Sequence, residues 1–326
     1  MILDVTAPVP FAVPLVTRFR RVTSRSGVLV RGAAGWGEFS PFPDYGPDVT
    51  RWWWLAAQEA AEEGYPDPVR DHVEINTIVP VVDPQRAHEM VTASGCRTAK
   101  VKVADPGVTL AEDEARIEAV RDALGVSGLI RIDANAAWDV DEATRAIRLL
   151  ERAAGGLEYV EQPCATLEEM AALRRRVDVP LAADESVRTA EDPLRIAGLE
   201  AADIVVVKVQ PLGGVRRALA VIEAAGLPAV VSSAVETSVG LSAGLALAAA
   251  LPELPHACGL GTAMLLAGDV VADPLVPVDG RLRVRRVEPE PELLERWAPG
   301  DPEAVLDRYR AAAAAAGAAV PEEGGL

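Results

Sequence analysis

INTIVP (residues 75–80), TAKVKV (98–103), LIRIDAN (129–135), LEYVEQP (157–163), PLAADES (180–186), DIVVVKV (203–209), PAVVSSA (228–234) and ACGLGTA (257–263) are short runs rich in Val, Ile or Ala. Each ends in polar or small residues. Amphipathic stretches such as TLAEDEARIEAVRDALG (109–125) and TLEEMAALRRRV (166–177) lie between them. Eight strands alternating with helices predict parallel βα units. The run ends fall near Lys102, Asp133, Glu161, Asp184, Lys208, Ser233 and Gly259, at steps of 31, 28, 23, 24, 25 and 26 residues. A near-constant period over eight units predicts a closed (β/α)8 TIM-type barrel. The alternative, an open doubly wound sheet, usually carries a glycine fingerprint after its first strand, and none follows INTIVP.

The flanks read differently. RFRRVTS (18–24) and GVLVRGAAGWGEFS (27–40) read as strands joined by a turn at Ser24-Arg25-Ser26-Gly27, and RWWWLAAQEAAEEG (51–64) as a helix capped by Asp48 or Thr50. After the barrel, GRLRVRRVEP (280–289) reads as a strand and PEAVLDRYRAAAAAA (302–316) as a helix. The expected organisation is an α+β capping domain built from both terminal segments. Residues 1–72 form its N-terminal part, 73–275 the barrel, and 276–326 a C-terminal return to the cap and a tail, with PEEGGL (321–326) frayed. Trp52, Trp53 and Trp54 are expected to pack cap against barrel rather than to touch substrate.

Composition narrows the function. The 326 residues include 32 Lys+Arg and 49 Asp+Glu, a net charge of −17; half the chain is hydrophobic. A globular polyanion repels nucleic acid and acidic membranes, so both drop as partners. Cys96, Cys164 and Cys258 are odd in number and far apart, which argues against a disulfide framework. The start, Met-Ile-Leu-Asp, lacks a basic leader, and the apolar stretch Val239–Leu251 is too short for a bilayer and reads as a buried helix. A cytoplasmic location is expected. Oligomeric state stays open.

Only three of the 32 basic residues are lysines: Lys100, Lys102 and Lys208. In a chain this rich in Ala, Arg and Gly, lysine should survive where arginine cannot replace it, because lysine can lose its proton. Strand alternation puts Lys100 and Lys102 on one face and Ala99, Val101 and Val103 on the other. The apolar face suits the surrounding helices, so both lysines point into the barrel, near its C-terminal mouth. Ammonium groups there are costly unless paired or functional.

Asp133, Glu161 and Asp184 end three successive strands, at the rim where barrel active sites lie. Converging carboxylates repel and raise one another's pKa; a divalent cation relieves this. All-oxygen ligands favour a hard ion, most simply Mg2+, with Mn2+ able to substitute. Of the three histidines, His72, His88 and His256, none shows a zinc spacing. Lys208 ends DIVVVK and reads as standing two strands past Asp184, across the barrel from the Lys100/Lys102 strand. Lysines on opposite sides of a pocket floored by a metal suit removal of a proton next to a carboxylate, through a metal-stabilised enediolate. A lysine near a cation and a second lysine has its pKa lowered, as a base requires. The implied partner is a small-molecule carboxylate.

These motifs resemble the enolase superfamily, in the subgroup of muconate-lactonizing enzymes: Lys100-Val-Lys102, Asp133-Ala-Asn135, Glu161-Gln-Pro163, Asp184-Glu-Ser186 and Lys208. Lysine bases beside Mg2+-stabilised enediolates are that superfamily's known pattern. Within it, Gly35-Trp-Gly-Glu38, Ser40-Pro41, Cys164 and Ser232-Ser-Ala-Val-Glu236-Thr-Ser-Val-Gly-Leu241 are similar to the o-succinylbenzoate synthase family of menaquinone biosynthesis.

The resemblance implies a lyase that dehydrates 2-succinyl-6-hydroxy-2,4-cyclohexadiene-1-carboxylate to o-succinylbenzoate. It implies Asp133, Glu161 and Asp184 as ligands of one Mg2+, and Lys102 as the base that takes the α-proton and assists loss of the hydroxyl. Lys208 would stabilise the enediolate from the other side, and Lys100 would support Lys102. Asn135 shares the face of Asp133 and is placed to hydrogen-bond a ligand or water near the metal, with Glu185 behind Lys208 or the metal. Ser233 and the Gly259 and Gly261 backbone are candidates for the succinyl tail, although tight βα turns explain the glycines equally well. Arg18, Arg20 and Arg21 are available to the succinyl carboxylate.

The same lysines and metal serve racemisation of N-acylamino acids such as N-succinylamino acids, the main alternative, possible also as a second activity. A dipeptide epimerase fits less well, because Ala257-Cys-Gly-Leu-Gly-Thr262 lacks that family's Asp-x-Asp. Muconate cycloisomerisation fits the cap less well. A non-catalytic barrel is the remote alternative.

Overall fold

The computed structural model describes residues 7–19, 22–187 and 192–318. Strands β1 (Val9–Phe19), β2 (Val22–Gly32) and β3 (Gly35–Phe39) form an antiparallel sheet in that order. Helix α1 (Pro47–Gln58) follows and widens into a π-helical turn at Glu59–Glu63. The expected turn at residues 24–27 is not there: β2 runs straight through it, and Phe19 pairs with Val22. Gly27 answers to packing instead, since a Cβ would stand 2.4 Å from the Phe39 carbonyl oxygen. The α1 N-cap is Gly46, not Asp48 or Thr50; Pro47 starts the helix with its preset φ and its missing N–H costs nothing there.

Strand β4 (His72–Glu74) leads into the barrel, whose strands are β5 (Thr77–Val79), β6 (Thr98–Lys102), β7 (Leu129–Asp133), β8 (Tyr159–Glu161), β9 (Leu181–Ala183), β10 (Ile204–Lys208) and β11 (Ala229–Ser232). From β5 to β11 they form one parallel sheet in sequence order. Helices α2 (Pro84–Ser94), α3 (Leu110–Leu124), α4 (Val140–Ala154), α5 (Leu167–Arg174), α6 (Asp192–Leu199), α7 (Val209–Leu212), α8 (Val215–Ala225) and α9 (Ser238–Ala250) lie between and after them. Three successive helices start with reciprocal capping boxes, Thr109/Glu112, Asp139/Glu142 and Thr166/Glu169, which satisfy two orphan donors each.

The ring closes through single bridges rather than a regular eighth strand: Cys258 joins Ile75 and Gly259 joins Ser232. Of the run ACGLGTA, only those two residues pair before a 3-10 turn at Thr262–Leu265. The chain is therefore a (β/α)8 barrel with an N-terminal capping domain. Among the described residues no helix is long and apolar enough to cross a membrane.

Strand parity divides the core. Ala99, Val101, Ile130, Ile132, Val160, Val205, Val207 and Val231 belong to the large cluster shared with the helices, while Tyr159, Ala182, Ile204, Val206 and Val230 form a separate one inside the ring. The residues alternate along each strand, so Lys100, Lys102, Asp133, Glu161 and Lys208 take the inner parity. Helix α9 is apolar all round and buried along its length, as expected for a helix covered on every side.

Strand β12 (Arg281–Arg283) pairs antiparallel with β4, and α10 (Pro291–Arg296) and α11 (Pro302–Ala315) follow. Helix α11 completes the cap core: Ala312 joins Val28, Val30, Phe39, Trp53 and Ala57, with Leu306 and Tyr309 against them. The three tryptophans serve packing. Trp53 is inside this cluster, and the Trp52 ring lies against Gly213 and under the Arg217 guanidinium, 4.4 Å from the ring centre.

Candidate active site

Sheet register sets the site. Lys102 pairs with Asp133 and Asp133 with Glu161, so three charged side chains stand at one level on adjacent strands. Asp184 follows the end of β9 directly. Lys208 ends β10, which is the strand next to β9, not the second one beyond Asp184 as the spacing was read; Ala183 pairs with Val205. That adjacency lets Lys208 Nζ donate to both Asp184 carboxylate oxygens. In the sheet order β10 still lies on the far side of the barrel from β6.

Lys100 Nζ donates to Asp133 Oδ2 at 3.1 Å and to Glu161 Oε1 at 2.6 Å. Lys102 Nζ donates to Asp133 Oδ2 and, at 2.7 Å, to Asn135 Oδ1. The three acids are buried. Burial alone would lower the Lys100 pKa, but the Glu161 and Asp133 carboxylates outweigh it and hold its ammonium well above the usual lysine range. Its nearest charges are anions, which sets that direction. Asp133 also works against burial: Lys102 and Lys100 hold its carboxyl far below the ordinary value. Glu161 goes the other way, pushed up by burial and then by the Asp133 charge.

Among the described residues no three acid, imidazole or thiol side chains are gathered into a ready ion cage. Lysine ammonium groups stand against the acids instead. The donor set nonetheless fits a hard divalent ion: every candidate ligand is a carboxylate oxygen, and Glu161 Oε2 is buried with no hydrogen-bond partner. A cation there would satisfy that oxygen and relieve the repulsion that raises Glu161.

A cavity of about 40 Å3 at the barrel mouth is lined by all three lysines: Lys100, Lys102 and Lys208 face it together with Asp133, Asn135, Asp184, Glu185 and Ser233. Asn135, at a left-handed φ of 46°, donates from Nδ2 to Glu185 Oε1 at 3.1 Å, so the two form one polar wall beside Lys102. Ser233 Oγ bonds the Gly259 carbonyl at 3.1 Å and lies 2.7 Å from Thr262 Oγ1. Gly259 and Gly261 are not in the lining. Gly259 backs onto Ser232, where a Cβ would stand 2.8 Å from Oγ, and Gly261 adjoins Ile75. Arg20 and Arg21 lie outside the described residues, as does the side chain of Arg18.

Several contributors escaped the sequence reading. Phe42 reaches the cavity from the cap, and the buried Arg25 guanidinium lies 4.1 Å from its ring centre. Arg25 also donates to the carbonyl of Val235, another lining residue, at 3.1 Å. The Gly-Trp-Gly-Glu38 motif turns out to dock cap on barrel. Gly37 lets β3 close on α1 within the cap, since a Cβ would stand 2.0 Å from the Ala57 carbonyl oxygen. Glu38 then accepts from Ser40 Oγ at 2.7 Å, from Thr237 N and Oγ1, and from Gly240 N at 2.9 Å, capping the first turn of α9.

Comparison with known proteins agrees with this architecture. A family model described as enolase C-terminal domain-like matches residues 84–291, and one described as enolase N-terminal domain-like matches residues 10–61. The chain is 66% identical over 278 residues to the o-succinylbenzoate synthase of Thermobifida fusca, covering 85% of this chain and 87% of that one. To the o-succinylbenzoate synthase of Mycolicibacterium smegmatis it is 53% identical over 292 residues, 89% of each chain. Among solved structures, the muconate lactonizing enzyme of Pseudomonas putida superimposes with a TM-score of 0.76 at 22% identity, covering 90% of this chain and 98% of that one. The L-Ala-D/L-Glu epimerase of Bacillus subtilis superimposes with a TM-score of 0.74 at 24% identity, covering 87% and 96%. At those identities the structures share the fold.

Proposed function

The chain belongs to the o-succinylbenzoate synthase family of the enolase superfamily, and from that premise we propose that it dehydrates 2-succinyl-6-hydroxy-2,4-cyclohexadiene-1-carboxylate to o-succinylbenzoate with Mg2+, as a cytoplasmic step of menaquinone biosynthesis. It is an enzyme, a hydro-lyase. The observation that carries the reading is the placement of Lys102 and Lys208 on opposite sides of one cavity, with the strand-end acids between them.

Asp133, Glu161 and Asp184 would hold the metal, which when bound supplies positive charge for the substrate carboxylate as its α-carbon loses a proton. The other steps fall to the chain itself. Lys102, with a free electron pair on Nζ, takes the α-proton and becomes an ammonium. The electron pair of the broken C–H bond is held in the carboxylate, against which the Lys208 ammonium sets its charge from the opposite face. Lys102 returns the proton to the departing hydroxyl, which leaves as water. The ring becomes aromatic with no oxidant or reductant. Asn135 Oδ1, 2.7 Å from Lys102 Nζ, aims the ammonium.

The lysine placement also favours a second reading, racemisation of N-succinylamino acids, in which Lys102 and Lys208 exchange the α-proton on opposite faces. One paired assay tests both. With Mg2+, the purified protein is expected to remove the diene absorbance of the cyclohexadiene substrate. No turnover of that substrate, together with rapid α-proton exchange on N-succinylamino acids in deuterated water, would move the assignment to the racemase.

A further inference from the structure

Gln162 follows Glu161 and is completely buried, with its backbone in the left-handed region at φ 37°, a conformation a residue with a side chain adopts only under constraint. Its contacts account for the constraint. The backbone N–H donates to the Ala182 carbonyl at 2.8 Å, and the backbone carbonyl accepts from Ala136 N at 2.7 Å. Side-chain Oε1 accepts from Asp184 N at 2.9 Å and from Ser186 N at 3.2 Å. Nε2 donates to the Cys164 carbonyl and to Ser186 Oγ, both at 2.9 Å. Every hydrogen-bonding group of this residue is used.

The partners lie on the ends of three neighbouring strands. Ala136 is in the turn just after Asp133, Gln162 itself adjoins Glu161, and the side chain holds the amide of Asp184. One residue thereby ties together the three chain segments that carry the three acids. Two of the acids gain most from that help: Glu161 ends the three-residue strand β8, Tyr159–Glu161, and Asp184 stands beyond the last paired residue of the equally short β9, Leu181–Ala183. A buried amide with two donors and two acceptor lone pairs is suited to pinning a strand end, because each bond lost would leave a buried polar group unpaired.

We propose that Gln162 is a positioning residue that sets the mutual spacing of Asp133, Glu161 and Asp184, and so the affinity of the site for a divalent cation. This rests on the metal reading proposed above. Loss of a group that orients ligands without touching the ion typically weakens metal binding by about 10–100-fold.

The test is Mn2+ titration of the full chain without substrate, followed by electron paramagnetic resonance, for the wild type, Gln162→Met and Gln162→Glu, with folding checked by circular dichroism. Gln162→Met keeps the size and removes the amide; its affinity is expected to fall by about tenfold or more. Gln162→Glu keeps an oxygen for the Asp184 and Ser186 amides and is expected to stay within about threefold of the wild type or to bind tighter. A merely structural role would lower the melting temperature but leave the affinity of the folded Met variant unchanged. Should Gln162→Met fail to fold, Gln162→Asn, too short to reach the Asp184 amide, takes its place under the same criterion. A smaller loss in the amide-deficient variant, or an equal loss in Gln162→Glu, overturns this inference alone. Absence of Mn2+ binding by the wild type overturns the metal reading, and this inference with it.

Discussion

Lys100 bridges Asp133 and Glu161, its Nζ 3.1 Å from one carboxylate and 2.6 Å from the other, with all three side chains buried. One ammonium thus faces two anions, and the Lys102 and Lys208 ammonium groups pair with Asp133 and Asp184 in the same floor. Buried charges hold together only while each has a counter-charge, so the lysines and a divalent cation are alternative and complementary partners for the same acids.

Removing Lys100 exposes that dependence. In metal-free protein, Lys100→Met is expected to cost about 3–5 kcal/mol, because two buried carboxylates lose a partner. Added Mg2+ should recover much of this, read as a larger rise in melting temperature for the variant than for the wild type. Equal rises would separate Lys100 from the metal site.

Glu38 is expected to act on stability rather than on chemistry. Glu38→Ala strips the acceptor from Thr237, Gly240 and Ser40 in a buried cap–barrel contact, at a cost of about 2–4 kcal/mol in urea unfolding. A change within about 0.5 kcal/mol, the range of ordinary surface substitutions, would show that the contact is incidental.

Gly37 and Gly198 make a contrasting pair. Gly37→Ala forces a Cβ against the Ala57 carbonyl oxygen, a backbone atom that cannot swing aside, and is expected to destabilise by at least about 1–3 kcal/mol. Gly198 sits in α6 with nothing within 4 Å of its Cβ position, so Gly198→Ala should stabilise by about 0.5–1 kcal/mol. Thermal unfolding of both variants checks the signs.

The barrel and its acids were legible because each strand carries its own signal: an apolar run, a fixed parity and a polar end. Lys102, Asp133 and Glu161 meet because register follows directly from that pattern. The misreadings came where a residue answers to something distant in sequence. Ser24-Arg25-Ser26-Gly27 has turn composition, but Gly27 is small to clear Phe39 and Arg25 is buried against Val235 and Phe42. The part Gln162 plays is hidden in the sequence, since its amide acts on the backbone of the next strand, which spacing does not reveal.

Lys102 as the base is tested most directly by turnover of the cyclohexadiene substrate by Lys102→Ala with saturating Mg2+. The variant is expected to keep the wild-type circular dichroism spectrum and a cooperative melting transition while kcat falls by at least about 10²–10⁴-fold, the range for losing a general base. A folded Lys102→Ala that dehydrates the substrate within tenfold of the wild-type rate would contradict the account.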